Sequence, residues 1–402
     1  MAGIAWLAIF GHRGVAPCVG LMALAVACRR DIWVTGASLM AQTGVFRDPL
    51  VLAACAFFLL TVWIAITGLW TPTPGAEWLG LTLASAALAG GALVFEATHA
   101  SPRRSAALAG GFALMVAAAS AALLFEGVSG GYLREITPPT DNSYLRWKDM
   151  TSLGRGVTAI APLVFPAASI IRRLTGSWLI AFAPALALLI AALHFSIFAN
   201  VAGLVFAGAA FAFAISFPRM GLALTSGLIL AALLTAPFAA VAIPADTVLD
   251  WKFGELPPSW AQRLVVWREA GSAALQDCFP FGCGADYARA LSQSGEMIQI
   301  PNWPVALQSM PTHPHNVFLQ VWLELGIPGV IALFTSIAMG FATLLEARLD
   351  RSTVAAICAS AAVCFISVMF EASIWQAWRL AVFALAAFAA AVSNAFCKSS
   401  RR

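Results

Sequence analysis

Charge is what this sequence has least of. Only 10% of its 402 residues are Asp, Glu, Lys or Arg, against roughly 25% in soluble globular domains. That shortage excludes an ordinary water-soluble fold. The 61% of hydrophobic residues excludes a disordered chain, which is poor in apolar side chains. A polytopic membrane protein remains. Metal signatures are missing as well. None of the eight cysteines forms a C-x-x-C pair, and no H-E-x-x-H or P-loop occurs. The loops expected to face outward contain no D-x-D pair, so neither a metal nor another cofactor is expected, and cationic side chains must do the work a metal does elsewhere. With a net charge of +4 and no basic arm, no nucleic-acid partner is expected. The first apolar stretch lacks an A-x-A cleavage site and is interrupted by Gly11, His12 and Arg13, so no cleavable signal peptide is expected.

Apolar runs long enough to cross hydrocarbon lie near 4–28, 49–70, 78–98, 105–125, 155–171, 176–193, 195–216, 220–243, 327–346, 353–370 and 375–397. The fold class is therefore all-α and polytopic, with about eleven or twelve transmembrane helices. Arg29, Arg30, Arg47, Arg103, Arg104, Arg172, Arg173, Arg219, Arg348, Arg351, Lys398, Arg401 and Arg402 fall in alternate connections. By the positive-inside rule these face the cytoplasm. The connections near 127–154, 244–314 and 371–376 then face outward. The chain divides into an N-terminal helix bundle (1–243), one long periplasmic loop of short helices (244–314), and a boundary helix with the C-terminal helices (315–402). A loop as long as 244–314 is ordinarily functional. It contains Cys278 and Cys283, which can pair if that face is oxidising.

One stretch departs from its apolar surroundings: "THPHNVFLQVWLELGIPG", residues 312–329. Pro314 suits a first helical turn, so a helix is expected to start at His313–Pro314. Asn316, Gln320 and Glu324 recur every four residues and form one polar stripe. A single helix from 313 to 346 would measure about 50 Å, too long for a core of about 30 Å, and Gly326 and Pro328 interrupt the pattern. A short boundary helix followed by a true span fits better. The simplest account is an interfacial helix with its polar side in lipid headgroups. That account does not explain His313 and His315. A helix N-terminus disfavours imidazolium, leaving a neutral base near pH 7, and favours a nearby anion such as phosphate.

Arginines supply the second component. Arg155 sits at the outer mouth of the fifth span, Arg263 in an amphipathic part of the long loop, and Arg289 after a Gly-rich turn. Each alone is ordinarily an interface anchor or a solvated charge. Together with histidine at a membrane surface they point to a phosphate-bearing lipid headgroup, because the guanidinium binds phosphate through a fork of donors. In "FEASIWQAWRL", Glu371 and Gln376 lie at the outer turn and Arg379 inside the last span. Intramembrane ionisable residues are functional candidates by default. Trp375 and Trp378 read more simply as aromatic-belt anchors, and Asn200 as a helix–helix hydrogen bond.

The run His313-Pro314-His315-Asn316, Leu319-Gln320, Trp322, Glu324-Leu325-Gly326 and Gly329 resembles the hallmark of the O-antigen ligase family, which includes related O-antigen polymerases. Arg263 to Trp267 followed by the turn from Pro280 to Gly284, Arg155 in "GRG", and "FEASIWQAW" are similar to further segments of that family, in the same order. Asn200 stands where many relatives carry arginine, and Arg379 where an aromatic is expected. The resemblance implies a glycosyltransferase of the bacterial inner (cytoplasmic) membrane, with its active site facing the periplasm. It implies a glycan donor on undecaprenyl diphosphate and an acceptor hydroxyl on lipid A–core or another glycan, amid membrane lipids. The transfer would be metal-independent and inverting. His315 would act as general base, with Arg155 and Arg263 on the diphosphate. His313, Arg289, Asn316, Glu324 and Glu371 would bind or orient substrate. A polymerase or protein glycosyl ligase of the same superfamily shares this chemistry. A lipid-linked oligosaccharide flippase is the alternative of a different class; it predicts midplane charges and internal repeats, and neither is visible.

Overall fold

The computed structural model describes residues 12–29, 48–133, 143–195, 197–244, 258–299, 306–371 and 373–399. Expectations on residues 4–11, Arg30, Arg47, Arg401 and Arg402 lie outside the described residues. In hydrocarbon no water satisfies backbone N–H and C=O groups, so an apolar run must close its hydrogen bonds internally, as a helix. The apolar runs among the described residues do so. A 3-10 turn at His12–Gly14 leads into α1 (Val15–Ala27), followed by α2 (Pro49–Thr67), α3 (Leu79–His99), α4 (Pro102–Ser129), α5 (Ser143–Ile160), α6 (Val164–Thr175), α7 (Trp178–His194), α8 (Phe198–Ser216) and α9 (Pro218–Val241). The long loop holds α10 (Pro258–Gln276), α11 (Tyr287–Gln293) and a two-residue antiparallel ladder, β1 (Met297–Ile298) with β2 (Leu307–Gln308). Three long helices close the chain: α12 (Val317–Glu346), α13 (Arg351–Phe370) and α14 (Ala377–Ser399). Among the described residues nine helices are long and apolar enough to cross a membrane, and α1 and α7 are shorter apolar helices at expected spans. The protein is an all-α, multi-pass membrane protein.

Local sequence sets the helix starts. Asp48 and Asp350 accept backbone N–H bonds at the N-termini of α2 and α13, satisfying donors the helix itself leaves orphaned. Pro49, Pro102 and Pro218 occupy first-turn positions, where the missing N–H costs nothing. Arginines at one end of the bundle are paired: Arg29 and Arg104 both reach Glu96, at 2.6 and 2.7 Å, and Arg173 meets Asp350 at 3.1 Å. Side chains pack into two apolar cores. One joins α1, α3 to α8, α13 and α14; the other surrounds the start of α12 with α2, α9, α10 and α11.

α12 is broken. Gly326 has φ 59° and ψ −160°, a conformation essentially restricted to glycine. A Cβ there would lie 2.3 Å from the Pro280 carbonyl oxygen. The carbonyls freed by the break find partners in the long loop and in α2. Cys283 N–H donates to Leu323 O (2.9 Å), Gly284 N–H to Glu324 O (3.0 Å), and the Trp63 indole to Leu325 O (2.7 Å). In the other direction Ile327 N–H donates to Pro280 O (2.8 Å). Cys278 and Cys283 are joined in a disulfide that closes this turn. The expected division at Gly326 is present, with one part of α12 before it and a longer part after.

The start of α12 departs from expectation. The helix begins at Val317 rather than at His313–Pro314. Asn316 is its N-cap, with the side-chain oxygen accepting from Phe318 N–H (3.0 Å) and Leu319 N–H (3.1 Å). His315 has φ 55°, outside helical space, so Pro314 has no helical turn to enter. Nor is the segment interfacial: Asn316 is 4% exposed, and Gln320 and Glu324 are fully buried.

Candidate functional site

Four structural pieces meet at the start of α12. The 312–316 turn brings the histidines, α10 brings Arg263, the Gly-rich turn and the start of α11 bring Asp286 and Arg289, and the end of α13 and the start of α14 bring Glu371 and Arg379. The imidazoles of His313 and His315 lie 4.4 Å apart, centroid to centroid. His313 Nε2 is 3.4 Å from the Glu371 carbonyl, and Nδ1 is 3.1 Å from the Thr312 hydroxyl. A carbonyl can only accept, so Nε2 carries the proton and Nδ1 accepts from Thr312. His315 Nδ1 is buried without a hydrogen-bond partner.

Burial pushes His313 down to about 4, with Arg379, Arg289 and Arg155 adding to it and the Glu371 carbonyl opposing. Burial pushes His315 down to about 3, helped by His313, Arg263 and Arg379. Both rings are therefore neutral at physiological pH. Arg263 is depressed by burial and supported by Glu371. Its guanidinium carbon lies 5.7 Å from the Trp260 ring centre, and its Nε is buried without a hydrogen-bond partner. A half-buried cation with an unmet donor beside neutral imidazoles is an environment that favours an anion.

The other predicted residues divide by surroundings. Arg155 is exposed on α5. Arg289 is half exposed and bonded to Asp286, whose carboxyl is raised by burial against the pull of Arg289. Glu371 lies at the end of α13 and pairs with Arg379 at 3.6 Å. Asn316 and Glu324 are engaged by the scaffold. Glu324 Oε2 accepts from Asp286 N–H (2.9 Å) and the Trp375 indole (2.6 Å), and Oε1 from Gln320 (3.0 Å) and Ala288 N–H (3.3 Å). Gln320 Oε1 accepts from Ile374 N–H at 3.1 Å. The polar stripe of α12 is thus a seam joining it to the Gly-rich turn and to the last outer turn.

Arg379 joins the site although sequence reasoning did not place it among the substrate-binding residues. It is 6% exposed and donates to Gln376 Oε1 (2.6 Å), to Ser367 Oγ and to the Glu371 carbonyl (3.3 Å). The default suspicion of ionisable groups inside spans was the available signal. Trp375 and Trp378 are not belt anchors: Trp375 serves Glu324, and the buried Trp378 ring lies 4.5 Å from the Arg379 guanidinium. Asn200 makes a helix–helix contact, donating to the Gly154 carbonyl and accepting from Thr158, both at 2.8 Å. It thereby holds the turn of α5 that carries Arg155. Gly127-Val128-Ser129-Gly130-Gly131 has the spacing of a nucleophile elbow, but it ends α4, and Ser129 Oγ accepts from Tyr132 N–H. The strand-to-helix turn of a true elbow is missing there.

Fold and site together describe a multi-pass membrane protein with a histidine–arginine centre at one end of its helices. Residues 150–334, which contain both histidines, Arg155, Arg263 and Arg289, match the family model described as O-antigen ligase. The resemblance read from the sequence is borne out over those residues. Two curated relatives, both named as candidate polysaccharide ligases, are similar to it. The protein of Rickettsia prowazekii (strain Madrid E) is 30% identical over 135 residues, 32% of this chain and 31% of the relative. That of Rickettsia typhi (strain ATCC VR-144 / Wilmington) is 30% identical over 136 residues, with the same coverage. The matched part spans about a third of each relative's length. No solved structure matches the chain significantly.

Proposed function

We propose that the protein transfers a glycan from undecaprenyl diphosphate to a sugar hydroxyl, on lipid A–core or another glycan, at the periplasmic face of the bacterial inner membrane. The observation that carries this reading is the pairing of a neutral, unpartnered imidazole nitrogen on His315 with the unmet donor of half-buried Arg263. One is a base and the other an anion holder. In the proposed reaction His315 takes the acceptor hydroxyl proton as the oxygen attacks the anomeric carbon. The bond from that carbon to the diphosphate breaks, and undecaprenyl diphosphate leaves with the electron pair. Arg263 and Arg155 stabilise the charge that develops on it, Arg289 assists, and His313 and Glu371 orient the centre. Asn316 and Glu324 act through the scaffold.

Two features support the orientation and the donor. The Cys278–Cys283 disulfide suits an oxidising compartment. An apolar cleft of about 640 Å³ between α3, α12, α13 and α14, lined by Cys364 and Phe383 among others, begins one helical turn from Arg379 and suits a prenyl chain. The test is transfer by the purified protein in detergent, without an ion gradient. The His315→Ala variant is expected to lose the roughly 10²–10⁴-fold contributed by a general base, and charge-neutral Arg263 and Arg155 variants to lose donor affinity. Full turnover in the alanine variant would refute the base assignment, and unchanged donor affinity would refute the diphosphate role. A strain deleted for the protein distinguishes a ligase, which leaves bare core and accumulates lipid-linked polymer, from a polymerase, which leaves single repeats attached.

A further inference from the structure

His12, part of the interruption of the first apolar run, has a place in the fold. His12 opens the 3-10 turn before α1, and that turn packs against both α5, which carries Arg155, and α14, which carries Arg379. The His12 side chain is 8% exposed. Its ring lies 4.6 Å from the Trp378 ring, centroid to centroid, tilted by 57°. Trp378 is itself 8% exposed, and the guanidinium of Arg379 lies 4.5 Å from its ring centre. The contacts therefore run in series from His12 to Trp378 to Arg379. Arg379 ends the series against Glu371, Ser367 and Gln376, and its charge bears on both site histidines.

We propose that His12 is a positioning residue of the candidate site: it packs the Trp378 indole and, through it, fixes Arg379 beside His313 and His315. The physical reasoning has two steps. A guanidinium held over an indole face is attracted to the ring quadrupole, so the ring's position restrains the cation's. Trp378 is in turn restrained on the side that His12 fills, because a buried ring with no neighbour there moves into the void. Removing the imidazole lets the indole shift and loosens the cation. The charged groups that face the two histidines are Arg155 from α5, Arg263 from α10, Arg289 from α11, Glu371 from the end of α13 and Arg379 from α14. Of these, Arg379 is the one whose ring partner touches the N-terminal turn.

The inference takes the histidine pair as the reacting centre and so rests on the glycosyl-transfer reading for its consequence, but not for its first measurement. That measurement is the rate at which phenylglyoxal modifies Arg379 in the purified full chain, read by mass spectrometry, with Arg173 at the opposite end of the bundle as internal reference. Arg379 in His12→Ala is expected to react several-fold faster than in the wild type. In His12→Phe, which keeps a ring against Trp378, it should react near the wild-type rate, and Arg173 should be unchanged in both. Unchanged Arg379 reactivity in His12→Ala overturns the inference. So does a parallel rise at Arg173, which would mean general loosening. The second measurement is donor-dependent transfer in a double-mutant cycle. The loss caused by His12→Ala is expected to vanish in an Arg379→Gln background, and additive losses overturn the inference. A wild type inactive with polyprenyl-diphosphate glycans would sink the glycosyl-transfer reading, while arginine reactivity would still decide the link from His12 to Arg379.

Discussion

Glu324→Gln is the substitution whose cost follows most directly from the geometry. Four donors converge on this carboxylate, two on each oxygen: Asp286 N–H and the Trp375 indole on one, Gln320 and Ala288 N–H on the other. The residue is fully buried, so no water can replace a lost partner. An amide keeps one acceptor oxygen and turns the other into NH₂. Whichever way it flips, two buried donors then face a third donor. Each buried polar group left unmet costs about 1–3 kcal/mol, so the exchange of one atom is expected to cost about 2–6 kcal/mol. A whole domain is stable by only about 5–15 kcal/mol, so the variant should unfold well below the wild type. Trp375→Phe is the graded comparison. It removes one donor from an oxygen that keeps another, and should cost about 1 kcal/mol. The assay is unfolding of the purified protein in detergent, followed by heat or denaturant, with limited proteolysis of the 280–312 region as a local readout. A Glu324→Gln protein as stable as the wild type, or less affected than Trp375→Phe, would refute the account of Glu324 as the joint of this seam.

Three further predictions follow from the same packing. The histidines, depressed to about 4 and about 3, titrate near 6.5 once unfolded. Below that value the unfolded chain binds more protons, so their contribution to stability is present above pH 6.5 and is lost as pH falls toward 4 and then 3. Comparing unfolding at pH 7 and pH 5 checks this, and a His313→Gln, His315→Gln protein with the same acid sensitivity would contradict it. Gly326→Ala forces a Cβ against the Pro280 carbonyl at a glycine-only conformation, a strain of about 1–3 kcal/mol that should detach the 280–284 turn and speed its proteolysis; wild-type proteolysis would show that the break tolerates a side chain. Asn200→Leu removes the amide that donates to the Gly154 carbonyl, which keeps the Thr158 hydroxyl, and is expected to cost about 1 kcal/mol, measured as lowered stability and weakened donor binding through displaced Arg155. Unchanged values for both would refute the clamp.

The spans were legible because hydrocarbon imposes one solution on an apolar run, and the sequence marks its ends: Asp48-Pro49 announces α2 as clearly as Gly326 announces the break in α12. The first turn of α12 was misplaced for an equally local reason. Pro314 can begin a helix, but Asn316 caps better, and the backbone at His315 has already turned left-handed. What could not be read were the partners. Glu324 meets an indole 51 positions along the chain, and nothing in either neighbourhood signals it. Trp375 and Trp378 carry the usual mark of residues that sit among headgroups. Whether an indole at a helix end faces lipid or protein is decided by tertiary packing, which hydropathy does not encode. The histidines and arginines were legible as chemistry, because such groups are scarce in this sequence. Their grouping at one end of the bundle followed from topology.

The break at Gly326 carries a consequence for how this protein can change over time. At the break the long loop is moored to α12 through three main-chain hydrogen bonds, from Cys283, Gly284 and to Pro280, beside the two it donates to the Glu324 carboxylate. Main-chain bonds do not read side chains. Beyond the glycines and the disulfide that shape the turn, exposed residues of the loop such as Gln293 and Met297 can therefore be exchanged without unmooring it from the helix that follows His315. A surface that must follow changes in the sugars it meets could vary freely on such a mooring while the reacting groups stay in register.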